Sequence, residues 1–243
     1  MSQDQLKVED VSTVRILMLG DKGVGKTSVT NLMASTPDTP TFASRSVGQR
    51  YWNIQVRLHE YPNSVDMPPT PTWTSPSSSD RSDKYSFPRN TPARSEILYF
   101  VEFIDMNSHC RMEREQRKHM FKNIDGIVLV YNLQNLRSQD NLHDWLYEPL
   151  REICKHRHGR PRSILRSQHV PILVVGTRLD MLNRRPLRRS VIAHQLNAEE
   201  ILLNSQDPEA FADKSRNQGK LSGFLNRVVE FKERYPLSRS RDF

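Results

Sequence analysis

Apolar residues along the chain fall into runs whose period changes from segment to segment. Val14 to Leu19 is apolar on both faces apart from Arg15, as a strand buried within a parallel sheet should be. Thr27 to Ala34 reads as a helix, stopped by Pro37 and Pro40. From Tyr51 to Tyr61 the pattern alternates: Trp52, Ile54, Val56 and Leu58 point one way, Asn53, Gln55, Arg57 and His59 the other, which predicts an edge strand with its polar face in water. Ile97 to Ile104, Gly126 to Leu133 and Pro171 to Val175 predict a third, fourth and fifth strand, and Ile201 to Leu203 a short sixth. Arg111 to Lys122, Asn141 to Ile153, Arg188 to Leu196 and Gly219 to Tyr235 predict helices, with Pro149 expected to kink the second of these or shift its boundary. The last carries Leu221, Phe224, Leu225, Val228, Val229 and Phe231 on its inward side. Strands alternating with helices predict an α/β fold: a six-stranded, mostly parallel sheet flanked by helices.

The chain has 243 residues, enough for one sizeable domain with extensions, yet hydrophobic content is only 36% and mean hydropathy −0.69. Part of it therefore lies outside the core, and residues 62–95 account for much of that. They hold seven of the 15 prolines and many serines without apolar periodicity, and predict a disordered insertion joining two strands of a hairpin. Trp73 and Tyr85 within it would suit a docking segment, but a tolerated surface insertion is the plainer reading, since long loops close cheaply. The domain is expected over 13–236, between a flexible N-terminus (1–12) and a short tail (237–243).

Net charge is +8 and is localised. Lys155 to Arg189 holds ten Lys or Arg against the single acid Asp180, a balance of +9, so the remainder is nearly neutral. Few aromatics stand among these arginines to stack bases, so no nucleic-acid partner is expected. A solvated face fits this window better than charge-dependent docking on an acidic partner or anionic membrane. The two cysteines, Cys110 and Cys154, show no paired or metal-ligand spacing. No apolar run is long enough to span a membrane, the first ten residues do not resemble a signal peptide, and no prenylation cysteine ends the chain, so a cytoplasmic protein without its own lipid anchor is expected.

The chemistry starts right after the first strand. Gly20-Asp21-Lys22-Gly23-Val24-Gly25-Lys26-Thr27, with Ser28 following, matches G-x-x-x-x-G-K-[ST]. A chance match is expected on the order of one time in a hundred chains of this size from residue frequencies. The glycines let the backbone wrap an anion, Lys26 would reach β- and γ-phosphates, and Thr27 would offer its hydroxyl to Mg²⁺ at a helix N-terminus. Asp105 ends the third strand, where it is either an ordinary terminating carboxylate or the group that holds Mg²⁺ through water. After the fifth strand comes Thr177-Arg178-Leu179-Asp180. An aspartate there can accept hydrogen bonds from the ring N–H and exocyclic amine of guanine, a donor pair adenine lacks.

A phosphate loop after the first strand, an Asp after the third and this tetrad after the fifth resemble the P-loop NTPase fold of the small Ras-superfamily GTPases, and within them the Rab family. The likeness spans nearly all of Val14 to Tyr235 outside the insertion. It implies GTP/GDP and Mg²⁺ as ligands, with residues 20–28 on the phosphates, Ser46 of Ser46-Val47-Gly48 in the first switch within reach of Mg²⁺, Thr177 to Asp180 on the base, and Asn204 and Ser205 in a second base-side loop. It also implies homodimers that associate with other small GTPases or their regulators, in signalling or intracellular transport, at most peripheral to membranes.

Two departures bear on turnover. Where the family carries Asp-x-x-Gly followed by a water-orienting Gln, this chain has Asp105-Met106-Asn107-Ser108 and then His109. Ser108 keeps an N–H but loses glycine's freedom, and His109 is a poor fit to the geometry that phosphoryl transfer demands, so GTP hydrolysis to GDP and phosphate is expected to be weak. In the tetrad, Arg178 and Thr177 replace Lys and Asn, which lowers the expected selectivity for guanine. Two classes then compete: a nucleotide switch, and a scaffold in which nucleotide mainly stabilises the fold. A nucleotide kinase is set aside for want of an arginine-rich lid.

Overall fold

The computed structural model describes residues 11–35, 52–62, 96–106, 113–158, 170–183 and 189–236. The strands are β1 (Ser12–Leu19), β2 (Trp52–Pro62), β3 (Glu96–Met106), β4 (Gly126–Asn132), β5 (Ile172–Thr177) and β6 (Glu199–Leu202). The helices are α1 (Lys26–Ala34), α2 (Arg114–Lys122), α3 (Leu136–Asp140), α4 (Leu142–His158), α5 (Val191–Gln195) and α6 (Arg216–Arg234), with 3₁₀ turns at Leu179–Met181 and Pro208–Phe211. The strands form one sheet in the order β2-β3-β1-β4-β5-β6, antiparallel only where β2 meets β3. The expected six-stranded, mostly parallel sheet is therefore observed. Among the described residues no helix is long and apolar enough to cross a membrane.

β1 is buried because both its phases are apolar. Val14, Ile16 and Met18 meet α1 and α6 through Val29, Met33, Leu221, Phe224 and Val228. Leu17 and Leu19 meet α2 and α4 through Phe121, Leu142, Leu146 and Ile153 on the opposite face. Each such side chain, taken fully out of water, contributes about 1.5–3 kcal/mol. That burial also explains α4, which runs through Pro149 without ending: Leu142, Leu146, Leu150 and Ile153 anchor both sides of the missing backbone donor. α3 was not foreseen; its five residues are too few for periodicity to show, and the Asn135 side chain caps it by accepting from the Arg137 N–H.

β2 corrects an expectation. The alternation is there, but Gln55, Arg57 and His59 are the buried phase, at 8%, 7% and 6% exposure, while Val56 and Leu58 stand open at 37% and 42%. The polar phase faces α1 and α6: Arg57 Nη1 donates to the Met33 carbonyl at the end of α1 (2.9 Å), and His59 Nε2 lies 2.8 Å from Asn226 Oδ1 on α6. The apolar phase lies at the edge of the sheet. Trp52 and Ile54, nearer β2's start, still pack against the second core, but Val56 and Leu58 lie beyond it.

Candidate functional site

The registers of the sheet bring the sequence-identified residues to one edge. Met18 at the end of β1 lies opposite Asp105 of β3, Leu19 opposite Leu129 of β4, and Tyr131 of β4 opposite Gly176 of β5. The chain leaves β1 toward β3 and leaves β4 toward β5, so the crevice at their carboxyl ends is where such sheets take ligands. Residues 20–25 fill its rim.

Sequence dictates that turn closely. Gly20 has φ 142°, and a Cβ there would lie 2.1 Å from the Val130 carbonyl oxygen, so no other residue fits. Gly25, at φ 95°, starts α1 without any side-chain cap. The loop's carbonyls are held from outside: Lys26 Nζ donates to the oxygens of Gly20 (2.9 Å) and Asp21 (2.8 Å), Arg178 Nη2 to Gly23 (2.9 Å), and Thr177 Oγ1 to Val24 (2.7 Å). Among the described residues the N–H groups of Gly23 to Ser28 pair with no acceptor. Carbonyls tied outward and amides left free at a helix N-terminus make an anion cradle.

Lys26 and Asp105 give that cradle its charge. Lys26 is 8% exposed, and burial lowers its pKa against the opposing pull of Asp105 and Asp21. Asp105 is 5% exposed, and burial raises its pKa although the Thr27 hydroxyl, 2.5 Å away, and Lys26 both oppose this. A buried carboxylate beside a hydroxyl, short of compensating charge, suits a hard cation that keeps several waters and takes its other ligands from phosphate. The donor set thus fits Mg²⁺, and Thr27 and Asp105 would hold it.

A cavity of about 750 Å³ runs from this charged end toward the loops after β5 and β6. Lys22, Gly23, Gly25, Lys26, Thr27, Ser28 and Asp105 line one end, and Arg178, Asp180, Asn204 and Ser205 the other. Arg178 adopts a left-handed backbone (φ 60°), which starts the turn at Leu179–Met181 and leaves Asp180 exposed toward the cavity. Asn204 Oδ1 accepts from the Gln206 N–H (2.9 Å), fixing the second loop, and Ser205 packs against Gly25.

Five sequence-identified residues stay off the cavity wall. Gly20, Asp21, Val24 and Leu179 belong to the supporting backbone, and Thr177 is wholly buried, its hydroxyl turned to the loop. Ser46 and His109 lie outside the described residues. Sequence reasoning missed Asn53, Met106, Met181 and Gln206, which also line the cavity. Asn53 faces Asp105 across the β2–β3 ladder, a pairing that only the hairpin register reveals. Gln206 adjoins the Asn204-Ser205 pair, and its neighbours could have flagged it.

No family model matches the chain. Rab-like protein 3 of Xenopus laevis is 29% identical to it over 92% of this chain and 86% of that protein. Rab-like protein 3 of Homo sapiens is 26% identical over 89% of this chain and 84% of its own length. Small GTPase LIP1 of Arabidopsis thaliana is 26% identical over 74% of this chain and 45% of its own.

Proposed function

We propose that this chain, a Rab-like member of the small Ras-superfamily GTPases, is a guanine-nucleotide-dependent regulator that hydrolyses GTP slowly. The observation carrying this reading is the loop itself: four carbonyls tied outward by Lys26, Thr177 and Arg178, with the amides of Gly23 to Ser28 left for an anion. Lys26 would exchange its two carbonyl partners for phosphate oxygens, regaining a full charge partner in a buried setting. Asp180 would select guanine, and Asn204 and Ser205 would flank the base from the second loop. Thr27 and Asp105 would hold Mg²⁺, with the Ser46 hydroxyl a further oxygen by its place in the sequence, and the metal would supply charge neutralisation to the phosphates. Slow turnover follows from Ser108 and His109 standing where a glycine and a water-orienting glutamine serve other members.

A second reading, a homodimeric scaffold that binds other small GTPases or their regulators, is favoured by the open apolar face of Val56 and Leu58 beside half-buried Phe100 on the β2–β3 edge. Unpartnered apolar surface of this kind commonly meets protein. Either way the chain would act peripherally, reaching membranes through partners.

The test is to purify the protein, identify any copurified nucleotide, and compare GTP with GDP affinity and turnover in the presence and absence of Mg²⁺. A preference of about tenfold or more between the two supports the switch, because equal affinity cannot shift a conformational equilibrium. Equal affinity supports the scaffold. Recovery of adenine nucleotide, or of none, overturns both the assignment of Asp180 and the reading built on it.

A further inference from the structure

An acid inside an anion-binding loop needs an explanation. Asp21 follows Gly20 directly, and its backbone carbonyl is one of the two that hold Lys26. Left free, its carboxylate could turn toward the phosphates and repel them. Its two oxygens are instead both taken from outside: Trp145 Nε1 donates to Oδ1 at 2.7 Å and Asn141 Nδ2 to Oδ2 at 2.8 Å. Lys22 and Gly23 on its C-terminal side line the cavity, and Asp21 does not.

Trp145 is held by the core, and Asn141, exposed at the surface, is placed by its backbone. The Trp145 ring packs against the core cluster that holds Leu142 and Leu146, so its single N–H has one direction. Asn141 closes α3, and its carbonyl accepts the N–H groups of Asp144 and Trp145 as α4 begins. Charge-assisted hydrogen bonds at these lengths are among the stronger ones a protein makes.

We infer that Trp145 and Asn141 are positioning residues for nucleotide binding, clamping the Asp21 carboxylate away from the cavity and so setting both the position of the carbonyl that holds Lys26 and the charge the phosphates meet. This rests on the nucleotide-binding reading above. It adds a requirement some 120 residues from the loop, the sequence separation of the Asn141–Asp21 pair being 120 and of the Trp145–Asp21 pair 124.

The test uses the full chain with Trp145→Phe, which keeps the ring but removes the donor, Asn141→Ala, the double variant, and each in an Asp21→Ala background. Release of labelled GDP and GTP is followed by filter retention, and amide exchange of residues 20–26 is measured in nucleotide-free protein. Each single variant should speed release about tenfold, the size expected for one lost hydrogen bond to a charge, with GTP affected more than GDP. In the Asp21→Ala background the same substitutions should have no further effect, because both act through one carboxylate. Loop exchange should rise in the double variant whether or not nucleotide binds. Unchanged loop exchange, or faster release that persists after Asp21→Ala, overturns the clamp. Lys26→Ala separates the two readings: if it loses nucleotide while the double variant retains it normally, the clamp is wrong and nucleotide binding stands. If wild type retains none, the nucleotide-binding reading falls and the inference built on it falls with it.

Discussion

The Thr177 hydroxyl stands 2.7 Å from the carbonyl oxygen of Val24 and 3.0 Å from that of Tyr131, between the phosphate loop and β4. A hydroxyl has one hydrogen to give, whereas an asparagine amide has two and a carbonyl besides. Thr177 therefore ties the loop to the sheet and keeps no donor for a base. Removing the hydroxyl with Thr177→Val should weaken GDP retention about five- to tenfold, the loss of roughly one buried hydrogen bond. Guanine-over-hypoxanthine preference should stay as it is. Competition by GTP and ITP against labelled GDP measures both at once, and a changed preference would place Thr177 on the base after all.

On the proposed reading base choice falls to Asp180, which is exposed within the short turn Leu179–Met181. Asp180→Asn should cut GTP affinity sharply and improve that for XTP, whose ring presents an acceptor where guanine has its amine. Stability should move by no more than about 0.5 kcal/mol, as for other surface substitutions. Thermal melts beside competition binding check this; a collapsed melting temperature with unchanged base preference would show Asp180 to be structural.

Asp105 predicts opposite effects with and without metal. Burial holds its pKa above the ordinary 3.8, so its ionised form costs stability: the favourable contribution is present below pH 3.8 and lost as pH rises through the raised value. Asp105→Asn should consequently raise the melting temperature of metal-free protein at neutral pH. It should also abolish any rise produced by Mg²⁺ with nucleotide. Calorimetry at neutral pH with EDTA and then with Mg²⁺–GDP reads both, and a variant that melts lower in EDTA would refute the first half.

His59, being buried, predicts an acid-sensitive fold. Burial lowers its pKa from the ordinary 6.5, and neighbouring Arg57 pushes the same way, against the hydrogen bond with Asn226. A depressed folded pKa means that stability is present above pH 6.5 and is lost as pH falls toward and through the folded value. His59→Gln, which keeps a partner for Asn226, should flatten the fall in melting temperature between neutral and acid pH. An equally steep fall in the variant would assign acid sensitivity elsewhere.

The sequence showed local features well and distant ones poorly, for physical reasons. The glycine-rich loop follows β1 directly, Asp105 lies near the end of β3 and Asp180 just beyond β5, so order along the chain was enough to bring them to one cavity. β2 is the counterexample. Alternation revealed its period but not which phase would be covered, and α1 and α6 cover the polar one through Met33 and Asn226. The Asp21 clamp was equally hidden, since nothing near residue 21 announces donors more than a hundred positions away.

The loop's outer fastenings come from α4, from the end of β5 and from its own helix. A loop braced at several points loses little conformational entropy on capture, so encounter should be fast and differences among nucleotides should surface as differences in residence time. Anything that speeds release would then work by loosening one of those fastenings rather than by prying at the phosphates, and the Arg178–Gly23 and Asn141–Asp21 contacts, both exposed, are within its reach.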